Sequence, residues 1–237
     1  MTSAVKPHSP SSRLYHFRMV DGFIKLEARA AVSTCCCRGE KTGMCAPFSQ
    51  AELKAALSKI RAGKSPGPDG IPNDLLKQLS PTAERHLLEL INRSWHTAET
   101  PATWRKAEIV AIPKKGKPPS ETGSYRPISL LSSISKLMER MVQARLQHWM
   151  EASNKLNPNQ AGFRRGRSTV DQLAKITQRI YDAFEKRKPE RAVLVLLDFA
   201  RAYDRVWRAG LLAKLGRLGV PGCTCRWIAA LLTDRRA

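Results

Sequence analysis

Apolar residues along this chain recur mostly at helical spacing. Ser49 and Glu52 form a capping box, and Leu53, Ala56, Leu57 and Ile60 then fall on one face of a helix closed by Gly63. Ser80 and Pro81 open a second helix through Leu87, Leu90, Ile91 and Trp95, which stops near Thr100-Pro101. The clearest stripe runs through Ile134, Leu137, Met138, Met141, Val142, Leu146 and Trp149, and a Met-bearing stripe of this kind is core. Ser168 with Asp171 caps a further helix bearing Leu173, Ile176, Ile180 and Phe184, closed by Lys186-Arg187-Lys188-Pro189. A last helix spans Leu211 to Leu218 and ends at Gly219 and Pro221. Strand patterns are few. Residues 107–112 alternate, and Val193-Leu194-Val195-Leu196-Leu197 is a continuous apolar run that predicts a buried strand. The pattern is that of a helix-rich α+β chain.

The 193–197 run ends in a lone carboxylate, Asp198. A charge at the exit of a buried strand is costly unless it faces a cleft, is paired or holds a metal. The residues alone leave three roles open: capping the following segment, pairing with Arg201 or Arg205, or ligating an ion. Between the first two helices, residues 63–72 are rich in turn formers. Gly63-Lys64-Ser65 superficially suggests a phosphate-binding loop, but position 58 is Ser58 where that motif needs glycine, and a helix precedes it where a strand is required. Residues 1–46 show no sustained period and are read as a poorly ordered basic leader.

Charge narrows the partners. In 237 residues, 41 Lys and Arg against 20 Asp and Glu leave a formal charge of +21, which points to a polyanion, with nucleic acid the default. No apolar run approaches the ~18 residues of a membrane span, and no secretory signal is visible. The six cysteines (Cys35, Cys36, Cys37, Cys45, Cys223, Cys225) lack the paired spacing of a zinc site, and their pattern is read as that of a reduced intracellular protein, nuclear or cytoplasmic.

Five segments, in order, resemble the reverse transcriptase domain of non-LTR (LINE-like) retrotransposons, with group II intron enzymes as more distant relatives. They are Lys64-Ser65-Pro66-Gly67-Pro68-Asp69-Gly70, Ile112-Pro113-Lys114, Tyr125-Arg126-Pro127-Ile128-Ser129-Leu130, Gln160-Ala161-Gly162-Phe163-Arg164 and Leu197-Asp198-Phe199-Ala200-Arg201-Ala202-Tyr203-Asp204. The resemblance covers about residues 48–237 and implies a right-hand polymerase, with fingers over 48–190 and the palm starting at 191. It further implies two-metal nucleotidyl transfer by Mg²⁺, with an RNA template, a DNA primer and deoxynucleoside triphosphates as partners. Asp198 then matches the first metal-ligating aspartate, with the Phe199 carbonyl beside it. Arg126 matches the arginine that contacts the triphosphate, Lys114 is a second candidate for that contact, and Tyr203 matches the aromatic that excludes a 2′-hydroxyl. Gln160, Phe163 and Arg164 match a segment near the template, and Lys115, Arg165 and Arg167 are read as channel-lining cations.

The chain departs from the family's pattern in one respect. The second catalytic element carries two adjacent aspartates, and this sequence contains no Asp-Asp pair. One carboxylate cannot hold two Mg²⁺ ions. The expectation is therefore a domain incomplete at its C-terminus and inactive alone, with an RNA-binding fragment or an inert remnant as the alternatives. An unpaired strand edge at Val193 to Leu197 would then favour aggregation.

Overall fold

The computed structural model describes residues 43–188, 190–200 and 202–236. The expected leader lies outside them up to residue 42. Order is already present at Gly43–Cys45, a single 3₁₀ turn that buries Met44. The described residues contain seven α-helices and one two-stranded sheet.

Local chemistry sets most element ends. The first helix, α1 (Gln50–Lys59), begins where Ser49 Oγ accepts from Glu52 N at 3.2 Å and Glu52 Oε2 accepts from Ser49 N at 2.8 Å. It ends at Ile60, whose extended backbone turns the chain out, and Gly63 (φ 64°) takes the next bend instead of closing the helix. A short helix, α2 (Asn73–Lys77), leads to α3 (Pro81–Thr97), capped by Ser80 and ended by Ala98 in the left-handed region (φ 54°). Strand β1 (Ala107–Pro113) pairs antiparallel with β2 (Tyr125–Leu131), with Val110 opposite Ile128 and Ile112 opposite Arg126. Then come α4 (Ser133–Ala152), α5 (Thr169–Phe184), α6 (Arg208–Arg217) and α7 (Gly222–Leu232). The last helix was not legible in the sequence, where Pro221 reads as a terminator. In the structure Pro221 stands just before its first turn.

The chain divides into two units, one made of residues up to 148 together with 207 onward, the other of residues 149–206. The first unit holds the core. Leu53, Leu57, Leu87, Ile91, Trp95, Leu137, Met138, Met141 and Trp227 pack together, and the sequence placed all but Trp227 on apolar faces. Phe48 meets Trp95 edge-on at 5.1 Å, and Trp227 reaches Trp95 from α7 while donating Nε1–H to Ser94 Oγ at 3.2 Å. Arg145 on α4 stacks 3.8 Å above Phe48 and donates to the Ala46 and Pro47 carbonyls and to both Glu52 oxygens. Burial opposes the charge on Glu52, but the bonds from Arg145 and Ser49 outweigh it and hold its carboxyl below its ordinary pKa. A disulfide joins Cys45 to Cys223, which corrects the expectation that the cysteines are all reduced.

The second unit differs. Its α5 has the expected capping box between Ser168 and Asp171, yet no residue of this helix is buried. The 193–197 run is not a strand. It is irregular and its apolar side chains are exposed, Val193 at 86% and Leu197 at 84%. A strand needs a ladder partner for its N–H and C=O groups, and among the described residues only β1 and β2 form a sheet. No described helix is long and apolar enough to cross a membrane.

Candidate nucleic-acid interface

In the first unit, the turn-rich segment after α1 lies against the junction of β2 and α4. Gly67 makes this approach possible, because a Cβ there would run into the Leu131 carbonyl and the Ser132 amide. The rest of the loop is tied locally. Gly63 N donates to Asp74 at 2.9 Å, Asn73 Nδ2 to the Arg61 carbonyl at 2.8 Å, and Gly70 N to the Gly67 carbonyl at 3.0 Å. These bonds fix Arg61, Lys64 and Ser65 along one side of a cavity of about 800 Å³.

The cavity's lining is one-sided in charge. Lys59, Arg61 and Lys64 come from the end of α1 and its loop, and Lys136 and Arg140 come from α4, where four-residue spacing stacks them on one face. Val110, Ile112 and Ile128 supply an exposed apolar wall from the hairpin, and among the described residues no carboxylate lines the space. None of the five cationic groups has a carboxylate partner among the described residues. Elsewhere, Arg145, Arg164 and Arg235 each pair with a glutamate. Five like charges around one cavity repel one another, and a polyanion entering it would relieve that repulsion. Sequence reasoning missed this cluster. Its only linear trace is the pair Lys136 and Arg140 flanking the apolar stripe of α4.

Arg126 shares the face of the hairpin that carries Val110, Ile112 and Ile128, since opposite residues of an antiparallel pair project the same way. It is exposed. Lys114 stands at the end of the same hairpin, but its ammonium already donates to the Gly123 carbonyl at 2.7 Å and so holds the connecting loop closed.

The other expected site residues lie in the second unit. Arg164 is used internally. Its Nε and Nη2 meet the two Glu151 oxygens at 2.8 and 2.5 Å, and Nη1 reaches the Asn157 and Gln160 carbonyls at 2.9 and 3.3 Å. This pairing lowers the Glu151 pKa and raises that of Arg164. Arg164 therefore shapes the turn that presents Gln160 and Phe163, the latter exposed and in the left-handed region (φ 60°). Asp198, Phe199 and Tyr203 lie on the irregular exposed segment. Among the described residues no three His, Cys, Asp or Glu side chains are grouped to hold a metal ion.

Residues 112–237 match the reverse transcriptase (RNA-dependent DNA polymerase) family. The chain belongs to this family. It is 38% identical over 190 residues to the probable RNA-directed DNA polymerase from transposon BS of Drosophila melanogaster, covering 80% of this chain and 21% of that protein. Over 169 residues it is 37% identical to the corresponding protein of the X-element, covering 71% of this chain and 18% of the relative, also from Drosophila melanogaster. The RNA-directed DNA polymerase of the jockey mobile element, from the same organism, is 36% identical over 170 residues, or 72% of this chain and 18% of the relative. The chain thus spans about a fifth of the length of these curated relatives. With these likenesses, the chain is a reverse transcriptase domain of the LINE-like kind, and its helix-rich fold with one small sheet is consistent with part of such a domain.

Proposed function

We propose that this reverse transcriptase domain supplies the fingers and the opening of the palm of an RNA-directed DNA polymerase, and that its basic cavity holds the single-stranded RNA template. The observation that carries the reading is the cavity itself: five cationic side chains, no carboxylate among the described residues, and an apolar hairpin wall against which sugar and base faces can lie. In this reading the fingers span 48–190 and the palm begins near 191. Arg126, on the same hairpin face, contacts the triphosphate of the incoming nucleotide, with Lys114 holding the loop and adding charge. Tyr203 lies under the sugar and rejects a 2′-hydroxyl. Gln160 and Phe163 approach the template, and Arg164 acts as the positioning residue for their turn.

The Mg²⁺ pair implied by the family finds only part of a site in this chain. Asp198, with the Phe199 carbonyl beside it, is a single anionic ligand, and two octahedral ions need several. The donor set does not fit, and no chemical step is assigned through the metal. The chain by itself is accordingly expected to bind RNA without extending a primer.

The test is fluorescence anisotropy with a labelled single-stranded RNA across a salt series, run beside primer extension in Mg²⁺. Five phosphate contacts at roughly −0.7 each give a slope of log K against log salt of about −3.5. Retention of full affinity and slope in a Lys136→Glu, Arg140→Glu chain would remove the cavity from the reading. Any primer extension by the 237-residue chain would overturn its inactivity.

A further inference from the structure

We infer that Cys45 and Cys223 form a redox-operated lock that ties together the two chain pieces of the first unit. The two cysteines are 178 residues apart in sequence with Cα atoms 6.0 Å apart, and the intervening chain includes all of residues 149–206. One end is the 3₁₀ turn at Gly43–Cys45 and the other is the first turn of α7. The lock therefore joins the earliest described residues to the last helix.

Among the described residues, the other ties between these pieces are noncovalent. Trp227 donates to Ser94, Arg235 meets Glu139 at 2.9 Å, and Arg236 exchanges backbone hydrogen bonds with Arg105 and Ala107 at 2.9 Å each. A covalent link closing so long a loop restricts the unfolded chain far more than these contacts do. Opening it loosens the α6–α7 piece but leaves it attached.

The two sulfurs are not equivalent. Cys45 is half-buried and Cys223 is buried, so a small thiol meets Cys45 first. A glutathione-class thiolate attacks Cys45 Sγ, forming a mixed disulfide and expelling Cys223 as thiolate. A second such thiolate attacks the small-molecule sulfur of the mixed disulfide, which frees Cys45 and leaves the oxidised small disulfide. Two electrons pass to the protein and each cysteine takes up one proton. The reverse sequence, driven by the oxidised small disulfide, closes the lock. Cys225 stays out of the exchange. It is buried with Sγ 3.6 Å from the Val220 carbonyl, and burial raises its pKa and keeps it a thiol.

The test equilibrates the full 237-residue chain in buffers of reduced and oxidised glutathione, then reads three things: disulfide-linked peptides by mass spectrometry, thermal melting, and the order of tryptic cleavage. The expected result is a Cys45–Cys223 peptide in oxidising buffer and a melting temperature higher by about 5 °C or more than in reducing buffer. Early cleavage after Arg208, Lys214 or Arg217 should appear only in the reduced chain. Cys45→Ser and Cys223→Ser chains should match the reduced protein in both buffers, while Cys225→Ser should still respond. Pairing of Cys45 or Cys223 with Cys35, Cys36 or Cys37 in place of each other would overturn the lock. So would formation of the correct disulfide with no change in melting or cleavage. The wild-type titration decides the matter even if a variant fails to fold, and neither outcome depends on RNA binding.

Discussion

Helices α4 and α5 each carry an apolar stripe, yet the first buries Leu137, Met138, Met141 and Val142 while the second buries nothing. The contrast extends to the two units. In the first, three tryptophans, five helices and Arg145 enclose a shared core. In the second, no described residue is buried, and Val193 through Leu197 stand in solvent. A stripe specifies which face of an element wants a partner, and only the remainder of the fold decides whether one is there.

The largest break in this comparison comes from equivalent truncations in the two helices. Leu137→Ala empties a fully buried site and should cost about 2–5 kcal/mol. Leu173→Ala removes an exposed side chain and should stay within about 0.5 kcal/mol. Urea unfolding followed by tryptophan fluorescence measures both. A cost above about 1 kcal/mol for Leu173→Ala would mean that α5 is packed against something in solution, and the contrast would collapse.

Next in size is the Arg145 clamp. Arg145→Ala leaves three backbone carbonyls without this donor and Glu52 with only its Ser49 bonds, and strips the cation from Phe48. With Glu52 partly solvated, the loss should be about 2–3 kcal/mol. Arg164→Ala removes a similar fork from the second unit, but there the effect should be local. Amide exchange should speed up around Asn157 to Arg164, with little change in the midpoint of global unfolding.

A third comparison sets the cavity against the Gln160 turn as the place where RNA is held. Lys136→Glu with Arg140→Glu should weaken single-stranded RNA binding by about tenfold or more and reduce the salt slope by about 1.4, two contacts at roughly −0.7 each. Gln160→Ala should change affinity by less than about threefold, since it removes no charge. The reverse ranking would move the interface to the second unit.

Legibility in the sequence follows the range of the forces involved. Capping boxes at Ser49 and Ser168, the Ser80 cap and the Met138 stripe are local, and each stands where the residues put it. Gly67 is equally readable as part of a turn-rich segment, and its lack of a Cβ is what lets that segment approach Leu131 and Ser132. Apart from α7, whose preceding Pro221 reads locally as a terminator, the misses are nonlocal. Whether 193–197 becomes a strand depends on a neighbour to pair with, and the apolar run is silent on that. Cys45 and Cys223 meet across 178 residues, and the five cations of the cavity gather from α1, its loop and α4. Resemblance assigns Arg164 to the template, and its pairing with Glu151, 13 residues away at the end of α4, is not visible in the sequence.

The smallest expected effect is a pH dependence that separates the two arginine–glutamate clamps. Both Glu52 and Glu151 have folded pKa values below their ordinary ones, the first against the opposing effect of burial, the second chiefly through the Arg164 bond. A carboxyl with a depressed folded pKa stabilises the folded state fully above its unfolded pKa, and that contribution fades as the pH falls through the folded value. Each clamp should therefore hold at neutral pH and weaken on acidification below the ordinary carboxylate range near pH 4.5. The readouts differ by unit. Protonating Glu52 loosens a segment wired to Phe48 and the core, so it should lower the melting temperature of the whole chain. Protonating Glu151 should release only the turn around Gln160, seen as faster local amide exchange at unchanged melting temperature. Glu52→Gln and Glu151→Gln should abolish these two responses one at a time, and a chain in which Glu151→Gln flattens the acid dependence of global melting would show that the second unit is not the loosely packed one.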